Sequence, residues 1–139
     1  MHVAGSSANE RAPRVDFLHM TVPASQTLAF REWCLATAAA NGVQVREFGL
    51  WHRQELLSTV VIDPNPAPTT GPDPLVATVD AFVSRAQDIG GSMEYVHGAG
   101  LRLAHLMPRE HGAGLDTLRA IKRLLDPNGI LNPGKLALS

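Results

Sequence analysis

"VQVREFGLWHRQELLSTVVID", residues 43–63, is the stretch whose reading decides the fold. Val43, Val45 and Glu47 alternate with Gln44 and Arg46, the period of two that a strand imposes on its side chains. Glu55 to Asp63 is rich in β-branched residues, which suit a pleated, half-buried surface. Only a short polar link, His52-Arg53-Gln54, separates the two runs. The spacing predicts an antiparallel hairpin.

Working outward, each side of the hairpin carries a helix. Upstream, residues 24–42 ("ASQTLAFREWCLATAAANG") place Leu28, Leu35 and Ala38 or Ala39 on one side and end at Asn41-Gly42, a turn signal that stops a helix. Downstream, "PNPAPTTGPDP" (residues 64–74) carries five prolines and reads as a surface linker. Residues 75–91 then set Leu75, Val79, Phe82, Val83, Ala86 and Ile89 at helical spacing, with Gly90-Gly91 as the stop. Two outer strands complete the pattern. "RVDFLHMTV" (residues 14–22) has no breaker until Pro23, and "SMEYV" (residues 92–96) is a short candidate.

The succession β-α-β-β-α-β implies an α+β fold: a ferredoxin-like antiparallel sheet with helices on one face. A helical C-terminal appendix follows. It has one amphipathic helix, residues 114–126, with Leu115, Leu118, Ile121 and Leu125 as its stripe. Pro127 ends that helix and Asn128-Gly129 turn the chain. The expected organisation is a flexible leader over 1–13, a ferredoxin-like portion over 14–97, and a helical tail over 98–139.

Composition excludes several classes. The 139 residues suit one domain with a real core. The net charge is -1, with no basic run interleaved with aromatics, which argues against nucleic-acid binding. No apolar stretch reaches the roughly 20 residues of a membrane span, and the polar start does not read as a secretory leader. Cys34 is the single cysteine, which fits a reducing, cytoplasmic setting.

Three stretches carry a family resemblance. "AIKRLLDPNGILNPGKL" (residues 120–136) resembles the C-terminal end of FAD-linked oxidases of the vanillyl-alcohol oxidase and alkyl-dihydroxyacetonephosphate synthase type. There a helix runs into an Asp-Pro-x-x-x-Leu-Asn-Pro-Gly-Lys signature, matched here by Asp126, Pro127, Leu131, Asn132, Pro133, Gly134 and Lys135. "GGSMEYVHGAGLRLAHLM" (residues 90–107) is similar to the family's Gly-Gly…His-Gly-x-Gly stretch, with His97, Gly98 and Gly100 in place. The β-α-β-β-α-β segment is similar to the family's cap domain.

The resemblance implies an FAD-dependent oxidoreductase whose cap covers the flavin ring and shapes a pocket for a small-molecule substrate. The tail would return to the ring, and Asn132, Pro133, Gly134 and Lys135 would form a cofactor-binding turn. Such a turn offers backbone amides, an Asn amide and a Lys ammonium to charge on the reduced ring. A surface lysine is the plainer reading of Lys135. No glycine-rich phosphate loop precedes Pro23, so the expected partner is an N-terminal FAD-binding domain or subunit. The chain departs from two branches of the family. The synthases carry consecutive histidines where Tyr95, Val96 and His97 stand. The 2-hydroxyacid dehydrogenases carry a Glu at the place of Val96, together with a His-rich motif that "GLWHRQELL" lacks.

His97 reads either as a turn histidine before glycines or, through the resemblance, as a catalytic acid–base group, since imidazole titrates near neutrality. Tyr95, two residues earlier on the same strand face, would assist it or simply pack. His52 and Arg53 at the hairpin would bind an anionic substrate or remain solvated. The six histidines are scattered, and His105, Glu110 and His111 lack the spacing of a zinc site, so no metal is expected. The rival to a flavoenzyme piece is a non-catalytic ferredoxin-like binding or assembly module.

Overall fold

The computed structural model describes residues 13–51, 56–65, 70–93 and 96–138. Three strands, β1 (Arg14–Thr21), β2 (Gln44–Trp51) and β3 (Leu56–Asp63), form one antiparallel sheet in the order β1-β3-β2. The hairpin expected from residues 43–63 is present, with Val45 opposite Val61 and Glu47 opposite Val60. That step is a bulge at Arg46, so the simple alternation seen in the sequence breaks there. The helices α1 (Thr27–Ala40) and α2 (Pro74–Asp88) lie between the strands in sequence, and α3 (Met107–His111) and α4 (Gly114–Leu125) follow. The α+β class is therefore observed. At the position of the expected fourth strand, the described residues show one bridge, Thr21 to Ser92.

Antiparallel partners share a face of the sheet. Leu18 and Met20 of β1 and Thr59 and Val61 of β3 are buried on the helix side. There they join Phe30, Cys34 and Ala38 of α1 and Leu75, Val79, Phe82, Val83 and Ala86 of α2 in one core. Burial pushes the Cys34 thiol up to about 12, which leaves it an inert packing group. Leu28 does not belong to this core: α1 turns Thr27, Phe30, Cys34 and Ala38 inward and leaves Leu28 exposed. The expected stripe was wrong there, because the i, i+3, i+7 set that meets the sheet starts one residue earlier and includes a threonine.

Helix α2 begins where the chain dictates. Asp73 caps it by accepting from the Leu75 and Val76 N–H groups at 2.9 and 3.3 Å, and Pro74 occupies the first turn. Arg14 ties this cap to the sheet through ion pairs to both Asp73 and Asp63. Its guanidinium holds the Asp73 carboxyl below the usual range. At the other end, the Gly90 and Gly91 N–H groups close the helix onto the Gln87 and Ala86 carbonyls. Gly91 sits so close to Thr21 that a Cβ there would lie 2.0 Å from the Thr21 carbonyl oxygen.

The C-terminal residues share the same core. Ala99, Leu103, Leu106, Met107 and Leu115 are buried in it. Glu110 of α3 reaches back to accept from Gln87 Nε2 at 2.8 Å, from the Met93 N–H at 3.2 Å and from the Ser92 hydroxyl. The apolar stripe of α4 is another matter. Leu115 docks, but Leu118, Ile121 and Leu125 are exposed, together with Leu124, Ile130 and Leu131.

Candidate functional site

Residues 92 and 97–102 meet the outer edge of β1 in antiparallel order. Ser92 bridges Thr21, His97 meets His19, and Arg102 meets Asp16. These three contacts step down β1 as the segment steps up, so a loop is held like a strand. His19 is buried on the face of β1 away from the helices, and the two imidazoles lie edge to face with centroids 4.7 Å apart. His97 itself is exposed. It lines a cavity of about 390 Å³ with Asp16, Phe17, Gly98, Ala99, Gly100 and Arg102. Val15 and Phe17 are exposed beside it on β1.

The tail turn forms a second concavity, of about 180 Å³, whose wall includes Lys122, Asp126, Asn132, Pro133, Gly134 and Lys135. All four residues expected at a cofactor-binding turn thus share one wall. Asp126 is the post that shapes it. Its carboxylate accepts from the Ile130 and Leu131 N–H groups at 3.0 and 2.9 Å and pairs with Lys122. Lys122 also donates to the Leu131 carbonyl at 2.5 Å, and Arg119 to the Ala137 carbonyl at 3.0 Å. The cationic face of α4 thus folds the tail in part back onto its own helix. Asn132, Leu136 and Ala137 adopt positive φ, a conformation that costs a non-glycine residue of order 1 kcal/mol. These contacts hold it in place.

The two concavities are neighbours joined at one point. The Leu136 N–H donates to the Gly100 carbonyl at 3.1 Å, and a Cβ on Gly134 would touch Leu101. His97 and the Asn132–Lys135 turn therefore sit on adjacent walls, not in one pocket. Tyr95, His52 and Arg53 lie outside the described residues. His19, Asp16 and Arg102 were missed in the sequence. The alternation of β1 could have paired Phe17 with His19 on one face, but nothing in the sequence signals a contact between residues 86 positions apart. Of the residues weighed for zinc, His105 meets Asp80 at 3.0 Å and Glu110 joins α3 to the core.

Lys122 lowers the pKa of Asp126, assisted by the Leu131 and Ile130 amides and opposed by burial. A carboxyl depressed when folded stabilises above its unfolded value and loses that contribution as pH falls through the folded one. The turn is therefore expected to loosen below about pH 4. Protection of the Ile130 and Leu131 amides, taken relative to the intrinsic exchange rate at each pH, should fall there, and Asp126→Asn should leave that protection low at every pH. Protection that is unchanged down to pH 2.5 would remove the role of Asp126.

The donor set suits a flavin edge. Arg123 and Lys135 carry no ion pair among the described residues, and both stand at the tail concavity with the Asn132 amide. At about 180 Å³ the concavity is smaller than a pocket that encloses a ligand. It can present donors to one side of a ring held elsewhere. No helix among the described residues is long and apolar enough to cross a membrane.

Comparison with known proteins identifies the family. The family "FAD linked oxidases, C-terminal domain" matches residues 2–136. A protein named uncharacterized FAD-linked oxidoreductase YgcU, from Escherichia coli K12, is 42% identical over 48 residues, 34% of this chain and 10% of that protein. D-2-hydroxyglutarate dehydrogenase of Stutzerimonas stutzeri is 37% identical over 62 residues, 43% of this chain and 13% of that protein. Glycolate oxidase subunit GlcD of Bacillus subtilis is 36% identical over 53 residues, 37% and 11% respectively. The matched stretches thus cover between 10% and 13% of these relatives' own lengths. With nearly its whole length matched, the chain belongs to the FAD-linked oxidases, as their C-terminal domain.

Proposed function

We propose that this domain is the substrate cap and flavin-side wall of an FAD-dependent oxidoreductase acting on a hydroxyl-bearing small molecule, in a cytoplasmic setting. The observation that carries the reading is the Leu136–Gly100 hydrogen bond, which sets the Asn-Pro-Gly-Lys turn beside the His97 loop in a chain of this family. FAD, when bound, supplies the hydride acceptor. His97 takes the proton from the substrate hydroxyl, and His19 packs edge-on against it. Phe17 and Val15 supply an apolar floor that excludes water, and Asn132 and Lys135 face charge that develops on the ring. The named relatives D-2-hydroxyglutarate dehydrogenase and glycolate oxidase subunit GlcD support a hydroxyl substrate.

The partner in this reading is an FAD-binding domain or subunit that seats on the uncovered stripe of α4. Leu118, Ile121, Leu124, Leu125, Ile130 and Leu131 together exceed the scattered apolar exposure of an ordinary surface. The test is His97→Ala in the assembled flavoenzyme. Flavin content should be unchanged while flavin reduction by substrate slows about 10²- to 10⁴-fold. Normal reduction at normal flavin content would take His97 out of the chemistry.

A further inference from the structure

We propose that Glu110 is a positioning residue for His97: its carboxylate clasps the neck of the loop that presents the imidazole. The catalytic side of the proposal rests on the reading of His97 as the acid–base group. His97 lies on the chain between Met93 and Glu110, and Glu110 joins the two ends of that excursion. At its start, the carboxylate accepts from the Ser92 hydroxyl and from the Met93 N–H at 3.2 Å. At its return, Glu110 belongs to α3. Gln87 Nε2, at the end of α2, donates to the same carboxylate at 2.8 Å. Three donors thus converge on one group that only accepts.

The clasp stands in for a strand ladder. Among the described residues this segment pairs with β1 through one backbone bridge, Thr21 to Ser92. Met93 is buried in the core, so its N–H must find an acceptor inside the protein, and Glu110 is that acceptor. Arg109 Nε donates to Gln87 Oε1 at 3.0 Å, which turns the amide nitrogen toward Glu110. A contact that closes a loop at its neck narrows the arrangements of everything within it. The Leu136–Gly100 bond holds the flank after His97, and the clasp holds the flank before it. Between them His97 keeps its edge-to-face contact with His19. The requirement is for acceptors in place. One carboxylate oxygen serves both Gln87 and Met93, and the other serves Ser92, whose hydroxyl can turn to accept from an amide. A glutamine therefore fits the clasp, and an apolar side chain does not.

The experiment reads the nuclear Overhauser signal between the His19 and His97 rings in the isotope-labelled chain. Glu110→Leu should lose that signal and Glu110→Gln should keep it. Arg14→Met, which breaks ion pairs at the opposite end of α2, should also keep it, so a general loss of stability does not imitate the effect. Should Glu110→Leu fail to fold, Ser92→Ala removes one donor without touching the core and should weaken the signal. A full signal in folded Glu110→Leu, or in Ser92→Ala where it stands in, overturns the clasp. So does an equal loss in Glu110→Gln or Arg14→Met. In the assembled flavoenzyme, Glu110→Leu should slow flavin reduction about 10- to 100-fold at normal flavin content. In a His97→Ala background it should slow it no further, because both changes act on one group. Losses that multiply independently overturn positioning through His97. Normal reduction by His97→Ala alone refutes the acid–base reading, and the ring contact still reports on the clasp.

Discussion

Gly91→Ala is expected to destabilise the chain by about 3 kcal/mol. The added Cβ would lie 2.0 Å from the Thr21 carbonyl oxygen and 2.8 Å from that of Ala86, and both obstacles are backbone. Relief by moving β1 breaks the paired hydrogen bonds between Thr21 and Ser92, at 3.0 and 3.1 Å. Relief by moving α2 opens its last turn, where the Gly91 N–H closes onto Ala86. Either route also lifts the segment that carries His97 and Arg102. Denaturant unfolding checks the size of the effect. Gly42→Ala is the control: Gly42 has positive φ and nothing near its absent Cβ, so the loss there should be about 1 kcal/mol. Equal losses at the two positions would show that the close approach to Thr21 is not what requires glycine.

Phe82→Ala should cost more still, about 4 kcal/mol, against a total stability of about 5–15 kcal/mol for a domain. Phe82 is fully buried and meets Trp33 with ring centroids 6.1 Å apart. Leu18, Met20 and Val83 are equally enclosed in the same core. Truncation would leave a cavity between α1, α2 and the sheet that these neighbours cannot all collapse into. Phe82→Leu keeps most of the volume and should cost about 1 kcal/mol. Thermal melts of the two variants decide it: if they melt together, Phe82 does not fill the centre of the core.

The layout of the sheet and its two long helices was legible because each signal was local. Val43, Val45 and Glu47 alternate with Gln44 and Arg46, Glu55 to Asp63 are rich in β-branched residues, Pro23 and Pro64 stop strands, Leu75 to Ile89 keep helical spacing and Gly90-Gly91 end that helix, although its cap Asp73 and first residue Pro74 were read as linker. The inward face of α1 was misread because its register depends on where the helix starts. Thr27, polar enough to pass for a surface residue, is packed inward, while Leu28 points out. The stripe of α4 was correctly seen as apolar, yet periodicity cannot say whether a neighbour covers it. The Asn-Pro-Gly-Lys turn and His97 were found through a family pattern, because loop residues carry no period. Arg102, Asp16 and His19 escaped notice because their meaning comes from Ser92, His97 and Arg102 lying beside β1, a relation set by Gly91 and the Thr21–Ser92 bridge.

The hydrogen bond from the Leu136 N–H to the Gly100 carbonyl makes the two concavities thermodynamically reciprocal. A ligand that orders the loop around Gly100 raises the free energy needed to lift the tail, and a group that orders the tail tightens the loop by the same factor. A single neutral hydrogen bond is worth about 1 kcal/mol, so this link can carry at most about a fivefold coupling in either direction. Whatever docks beside Lys135 and whatever enters beside His97 must therefore sense one another, within that ceiling.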